Sequence, residues 1–197
     1  MSTAAGRPLD PAVTAKILHV VVELVGTHGF RDLRIDDVAE RAGTSKQAVY
    51  RRWSGKSELV AEALRAALGS NRPNDPRTGS LRRDLVAVLG QTIRALERTS
   101  LGAAVRALVS ETADEALARA LGDVETSRRT PLQRVLRAAC ERGELARDRD
   151  VDLDVDALLG AAYYRLLVRR VALEGDLATR LVDAWLASAM PGLRQGR

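Results

Sequence analysis

The chain has 197 residues, 46% of them hydrophobic and 3% aromatic, and carries a formal net charge of +5 at pH 7. That length and apolarity suffice for a sizeable core, which excludes disorder as the default state, while the single cysteine, Cys140, excludes an internal disulfide and a cysteine metal cluster. No run of about 18 apolar residues marks a membrane span and no secretory leader opens the chain, so a cytoplasmic protein that needs no membrane, metal or cofactor is expected.

Ala, Leu and Arg dominate, and no segment alternates apolar and polar residues long enough to make a strand, so the fold class is all-α, with about nine helices. Residues 1–9 read as a disordered tail. Asp10-Pro11 starts a helix, with Asp as cap and Pro at the first helical position, and apolar residues repeat from Val13 to Val25 until Gly29 stops it. Ile35 to Ala42 forms a short helix with Asp36 and Asp37 in its first turn, where the dipole favours carboxylates. Gly43 ends it, and Thr44 or Ser45 caps a further short helix running to about Trp53. Ser54-Gly55 breaks the chain again before a helix from Lys56 to Ser70. Residues 71–79 (NRPNDPRTG) form a linker, which divides the chain into an N-terminal unit, 10–70, and a larger helical unit, 80–197.

Beyond the linker, Ser80 caps a helix carrying Leu81, Leu85, Val88, Leu89, Ile93 and Leu96. One or two shorter helices are expected from Leu101 to Leu121. Pro131 starts or kinks a helix reaching Arg142, and a charged loop or helix approach spans residues 144–154. The last two helices are expected at Val155–Leu173 and Asp176–Ala189.

Between Thr44 and Ser57 lie Lys46, Arg51, Arg52 and Lys56 and no acidic residue, whereas the helices on either side carry Asp36, Asp37, Glu40, Glu58 and Glu62. The positive charge is therefore local to the second short helix and its ends. Two short helices around a glycine turn are the geometry in which the second helix enters the DNA major groove. The stretch IDDVAERAGTSKQAVYRRWSGKSELV, residues 35–60, resembles the DNA-binding signature of TetR-type repressors: Ala42-Gly43, Ser45-Lys46, Val49-Tyr50, the aromatic Trp53, then Lys56 and Leu59. The motif covers roughly residues 10 to 70. The resemblance implies a three-helix helix-turn-helix domain followed by a ligand-binding and dimerisation domain, acting as a repressor of a palindromic double-stranded DNA operator.

Site residues follow from position. Lys46, Gln47 and Ala48 occupy the first turn of the recognition helix. There Gln can pair with adenine, Lys with guanine or phosphate, and Ala with a thymine methyl. Arg51 and Arg52 follow, one for backbone or bases and the other for solvent. The resemblance assigns the Tyr50 hydroxyl and Lys56 to phosphates, with Lys56 at a helix N-terminus that attracts anions. Arg34, where the family often has a capping Thr, can replace a phosphate contact but not the cap. Thr44 and Ser45 can donate to phosphate or only cap. Val49 and Trp53 are expected to pack.

Residues 157–168 (ALLGAAYYRLLV) hold one charge, Arg165, and are apolar nearly all round. A second buried face suggests a second subunit, and the resemblance implies a homodimer joined by the last two helices. Leu158, Leu159, Ala162, Tyr163, Leu166, Leu181, Trp185 and Ser188 are the candidate interface. It also implies an internal pocket for a small-molecule effector, with Gln91, Thr92, Cys140 and Tyr164 as candidate lining residues. Few aromatics and no obvious buried carboxylates point to an apolar or mixed ligand. His19 and His28 have no nucleophile at a recognisable spacing, and no phosphate loop is present, so no catalysis is expected. The competing reading is a helical protein-interaction adaptor that does not bind DNA.

Overall fold

The structure is a computed structural model that describes residues 10–71, 73–74, 76–111, 113–173 and 175–189. The expected tail, 1–9, lies outside them. Among the described residues there are nine α-helices, one π-helical segment and no strand. The helices are α1 (Pro11–His28), α2 (Ile35–Ala42), α3 (Lys46–Tyr50), α4 (Lys56–Ser70) and α5 (Leu81–Arg98), then α6 (Ser100–Leu108), α7 (Glu115–Glu141), α8 (Val151–Tyr163) and α9 (Leu177–Ala189).

Local chemistry sets most of the boundaries. Asp10 caps α1 by accepting from the Ala12 N–H at 2.9 Å. Ser80 caps α5 and Thr99 caps α6. The α5–α6 corner needs glycine at 102, because a Cβ there would lie 1.7 Å from the Leu96 carbonyl oxygen.

Two boundaries differ from the sequence expectation. Residues 115–141 form one helix, with Pro131 inside it and not at its start. A proline inside a helix removes one ladder hydrogen bond and costs about 3 kcal/mol. Here Leu117, Ala120 and Val124 are buried before it and Leu132, Val135, Leu136 and Ala139 after it, and burying both halves of the helix outweighs that local penalty. Helix α8 starts at Val151, within the segment expected to be a charged loop, because Asp150 accepts from the Leu153 N–H at 3.0 Å and Asp152 and Asp154 favour the N-terminal dipole. It gives way to a π-helical segment at Tyr164–Arg169 that ends in a left-handed Arg170 (φ 53°).

The apolar side chains form two cores. The first joins α1–α4 with Leu101, Ala104, Val105 and Leu108 of α6 and Leu117, Ala120 and Val124 of α7. The second joins α5, the C-terminal half of α7, α8 and α9. Helix α7 thus runs through both, and α1 packs on α6 as α4 packs on α7. Asp114 ties them at the surface: its carboxylate caps α7 through the Ala116 and Leu117 N–H groups and accepts from the Ser57 hydroxyl in the first turn of α4. These hydrogen bonds hold the Asp114 carboxyl below the usual range, the Ser57 bond most strongly. No helix among the described residues is long and apolar enough to cross a membrane.

Candidate nucleic-acid interface

Helix α2 has no side-chain cap at Arg34, as its charge and length dictate, yet starts at Ile35 with Asp36 and Asp37 in the first turn. Its C-terminus is closed by Gly43, whose left-handed backbone (φ 69°, ψ 40°) lets the N–H groups of Gly43 and Thr44 return to Glu40 and Ala39. Ser45 then caps α3, its hydroxyl accepting from the Ala48 N–H at 3.1 Å. The cap and the glycine together fix the angle between the two helices. Val38, Ala39, Ala42, Val49 and Trp53 lock them from within. Trp53 is 2% exposed and its indole N–H donates to Glu62, so it packs and is not open to bases.

The outer side of this unit presents Arg34, Ser45, Lys46, Gln47, Tyr50 and Arg51 to solvent, with Thr44 half-buried beside them. Tyr50 is 50% exposed. Lys46 forms an ion pair with Asp36 at 3.0 Å, both ends half-exposed, so the ammonium is held at the mouth of the turn and can be released to a phosphate.

Three of the residues singled out from the sequence are employed internally. Ala48 is 7% exposed, so little of its methyl is open to a thymine. Arg52 folds back: Nη1 donates to the Ala48 carbonyl at 2.7 Å and Nε to the Thr14 hydroxyl at 3.0 Å, tying the end of α3 to α1. Lys56 donates to the Arg31 carbonyl at 3.0 Å and to the Leu33 carbonyl at 3.4 Å and lies 4.6 Å above the Phe30 ring, bracing the loop before α2. An ammonium has three donors, so one remains for a phosphate. Conversely, Lys16 of α1 joins the site: its Nζ lies 3.3 Å from where a Cβ on Gly43 would sit. The chain's three lysines are Lys16, Lys46 and Lys56, and their scarcity was the only sequence signal for the first.

In the C-terminal half the residues expected at a subunit interface divide. Leu158, Leu159, Ala162, Leu166 and Trp185 are buried inside this chain's own second core and cannot also form its open face. The Trp185 N–H donates to buried Asp154 at 3.0 Å, and Arg149 closes this link with a two-pronged bond to Asp154 and by stacking 5.1 Å from the Trp185 ring. Tyr163 and Leu181 are partly buried and Ser188 is exposed. The open apolar face of α8 and the π-helical segment after it lies one position round: Leu153 (64% exposed), Ala157, Gly160, Tyr164 (56%) and Val168 (66%) recur three or four residues apart. Ala184, Ala187 and Ser188 of α9 are exposed too. Tyr164 therefore leaves the group of expected pocket residues. Gln91 accepts from the Asn74 N–H at 2.7 Å, Cys140 lines a shallow surface depression with Arg149 and Val151, and Thr92 alone is fully buried, so these four do not converge on one cavity.

Comparison with known proteins fits this geometry. Residues 17–63 match the family described as bacterial regulatory proteins, tetR family, and residues 75–185 match the tetracyclin repressor-like C-terminal domain. A DNA-binding transcriptional repressor TetR from Mycobacteroides abscessus is 32% identical over 185 residues, covering 92% of this chain and 96% of that protein. The crystal structure of a TetR family transcription regulator superposes with a TM-score of 0.65 at 33% identity over 88% of this chain and 96% of the other. The regulator FadR from Bacillus subtilis, solved in complex with stearoyl-CoA, shares the fold at a TM-score of 0.76 and 14% identity, covering 87% of this chain and 97% of its own.

Proposed function

Because the chain belongs to the tetR family of bacterial regulatory proteins, and is thereby a DNA-binding transcriptional regulator, we propose that it works as a homodimeric repressor that leaves a palindromic operator when a small molecule binds. The observation that carries this reading is the capped, glycine-closed turn that holds Ser45, Lys46, Gln47, Tyr50 and Arg51 outward on one helix. Gln47 and Lys46 would read base edges, while Tyr50, Arg51, Arg34, Thr44 and Lys16 would hold phosphates. Arg52 and Lys56 would act mainly by stiffening the unit.

Residues 10–70 would form the reading head and residues 80–197 the ligand-binding and dimerisation domain. Supporting a dimer is the exposed apolar stripe Leu153, Tyr164 and Val168, which a lone chain leaves in water. Two-fold symmetry places two recognition helices about 34–36 Å apart, one turn of B-DNA. Supporting control by a ligand is the shared first core: α6 and α7 pack directly on α1 and α4, so a shift of α7 moves the head as a body. The FadR complex shows that a chain of this fold can hold a small molecule. A cytoplasmic setting follows from access to DNA. The run of bases without an acid between Thr44 and Ser57 disfavours an adaptor that never meets DNA.

The test is selection of genomic fragments by the purified full chain, followed by footprinting. An enriched two-fold-symmetric site, bound by a dimer, is the expected result. Enrichment of no motif would overturn the reading.

A further inference from the structure

We propose that Arg128 anchors an anion-binding site at the seam between the two cores, and that its ligand is a small organic acid: a carboxylate on an apolar body. This rests on the reading of the chain as a regulator controlled by a small molecule, and it names the class of that molecule.

Arg128 is 0% exposed. Its Nη1 donates to the Asn71 carbonyl at 2.5 Å, but neither Nε nor Nη2 has a hydrogen-bond partner among the described residues. Those two nitrogens share one edge of the guanidinium, the edge whose parallel N–H bonds match the two oxygens of a carboxylate. A buried guanidinium is retained at a steep desolvation cost unless a counter-charge meets it. Among the described residues the chain supplies none there: Arg128 takes part in no ion pair. Glu125, one turn earlier, is exposed and pairs with Arg129 at 3.3 Å. Burial pushes the Tyr163 phenol above its ordinary range, so it offers Arg128 no negative charge at neutral pH.

The surroundings describe the rest of the ligand. Val124, one turn before Arg128, belongs to the first core and Leu132, one turn after, to the second. Leu167 packs against both. Two surface depressions adjoin the seam. One, of about 290 Å³, is lined by Leu68, Ser127, Pro131 and Asp123, the last paired with Arg65 at 2.8 Å, and one of about 380 Å³ by Leu18, Val22, Leu101 and Asn71 among others; Arg128 itself lies behind their walls and lines neither. Each is of a size that takes a ligand of modest length, not a bulky one.

The site is also wired to the DNA end. Asn71 is the C-cap of α4, the helix that begins just after α3, and its side chain donates back to the Ala67 carbonyl at 2.8 Å. A carboxylate that engages Nε and Nη2 sets the orientation of the fork that grips Asn71, and so the position of α4.

The experiment uses sodium octanoate and sodium benzoate as probes, with 1-octanol and octyltrimethylammonium as matched neutral and cationic controls, in calorimetric titrations of the full chain. Saturable binding of at least one carboxylate, with the controls at least tenfold weaker, is expected. Arg128→Met should weaken that binding at least tenfold, and Arg128→Lys, which keeps the charge without the fork, should weaken it as well. Arg129→Gln should leave it unchanged. If Arg128→Met does not fold, Arg128→Lys decides. No binding of either carboxylate, equal binding of the controls, or wild-type affinity in the Arg128 variants would overturn the proposal. Release of a fluorescent operator fragment is read separately. Carboxylate binding through Arg128 without release keeps the site and sinks the ligand-controlled repressor. Release by the neutral control alike in wild type and Arg128→Met keeps the repressor and sinks the site.

Discussion

Arg51 and Arg52 are neighbours of identical chemistry, and the structure gives them different duties. Arg51 is exposed, whereas Arg52 is half-buried and donates to the Ala48 carbonyl at 2.7 Å and the Thr14 hydroxyl at 3.0 Å. A hydrogen bond from a charged group contributes about 1.5–3 kcal/mol when well formed, and solvent reduces that at a half-buried site. Two such bonds, discounted, give about 1–2 kcal/mol for Arg52→Ala, or a fall in Tm of roughly 2–8 °C for a protein of this size. Arg51→Ala should stay within about 0.5 kcal/mol of wild type. On DNA the order reverses: removing one phosphate contact lowers the slope of log K against log salt by about 0.9, and this is expected of Arg51→Ala. Thermal unfolding and anisotropy at several salt concentrations read both quantities. If Arg52→Ala leaves Tm unchanged, or if it alone flattens the salt slope while Arg51→Ala does not, the division of labour is wrong.

Three further perturbations separate packing from interface. Gly102→Ala puts a methyl onto the Leu96 carbonyl, and because the obstacle is backbone the loss should reach the upper part of the ~1–3 kcal/mol typical of overpacking, read by denaturant midpoint. Asp114→Ala should cost about 1 kcal/mol at pH 7 as a lost helix cap. Since the folded carboxyl titrates below the ordinary value, that contribution is complete above about pH 4 and disappears as pH falls through the lower folded pKa; a gap from wild type as large at pH 2.5 as at pH 7 would refute it. Val168→Arg, on the open face, should give folded monomers by sedimentation, whereas Leu158→Arg, inside the second core, should not fold; a dimeric Val168→Arg would remove the stripe from the interface.

The DNA end was legible in the sequence because its determinants are local. Asp10-Pro11, Gly43 and Ser45 act within a turn of themselves, and the basic residues in and just after α3 stand out against acidic neighbours. What depends on distant packing was not. Pro131 obeys a local rule that the two cores overrule. On α8, Leu153 and Leu158 are equally apolar, and only the packing of α9 and α7 decides which is covered. The same holds for charge. Lys16 reaches the turn at Gly43 through the packing of α1 on α2, and the adjacent Arg128 and Arg129 read alike as sequence though one is sealed inside and the other pairs with surface carboxylates.

The central claim is that α3 reads DNA sequence through Lys46 and Gln47. The direct measurement is the affinity ratio between the selected operator and unrelated duplex DNA, at matched salt, for wild type and for the Lys46→Ala/Gln47→Ala variant. Both side chains are exposed, so the variant should fold with a Tm within about 2 °C of wild type. Its affinity for unrelated DNA should fall only slightly, while the preference for the operator should drop at least tenfold, as expected from about 1–3 kcal/mol per base-reading contact. A variant that keeps the wild-type preference would contradict the account.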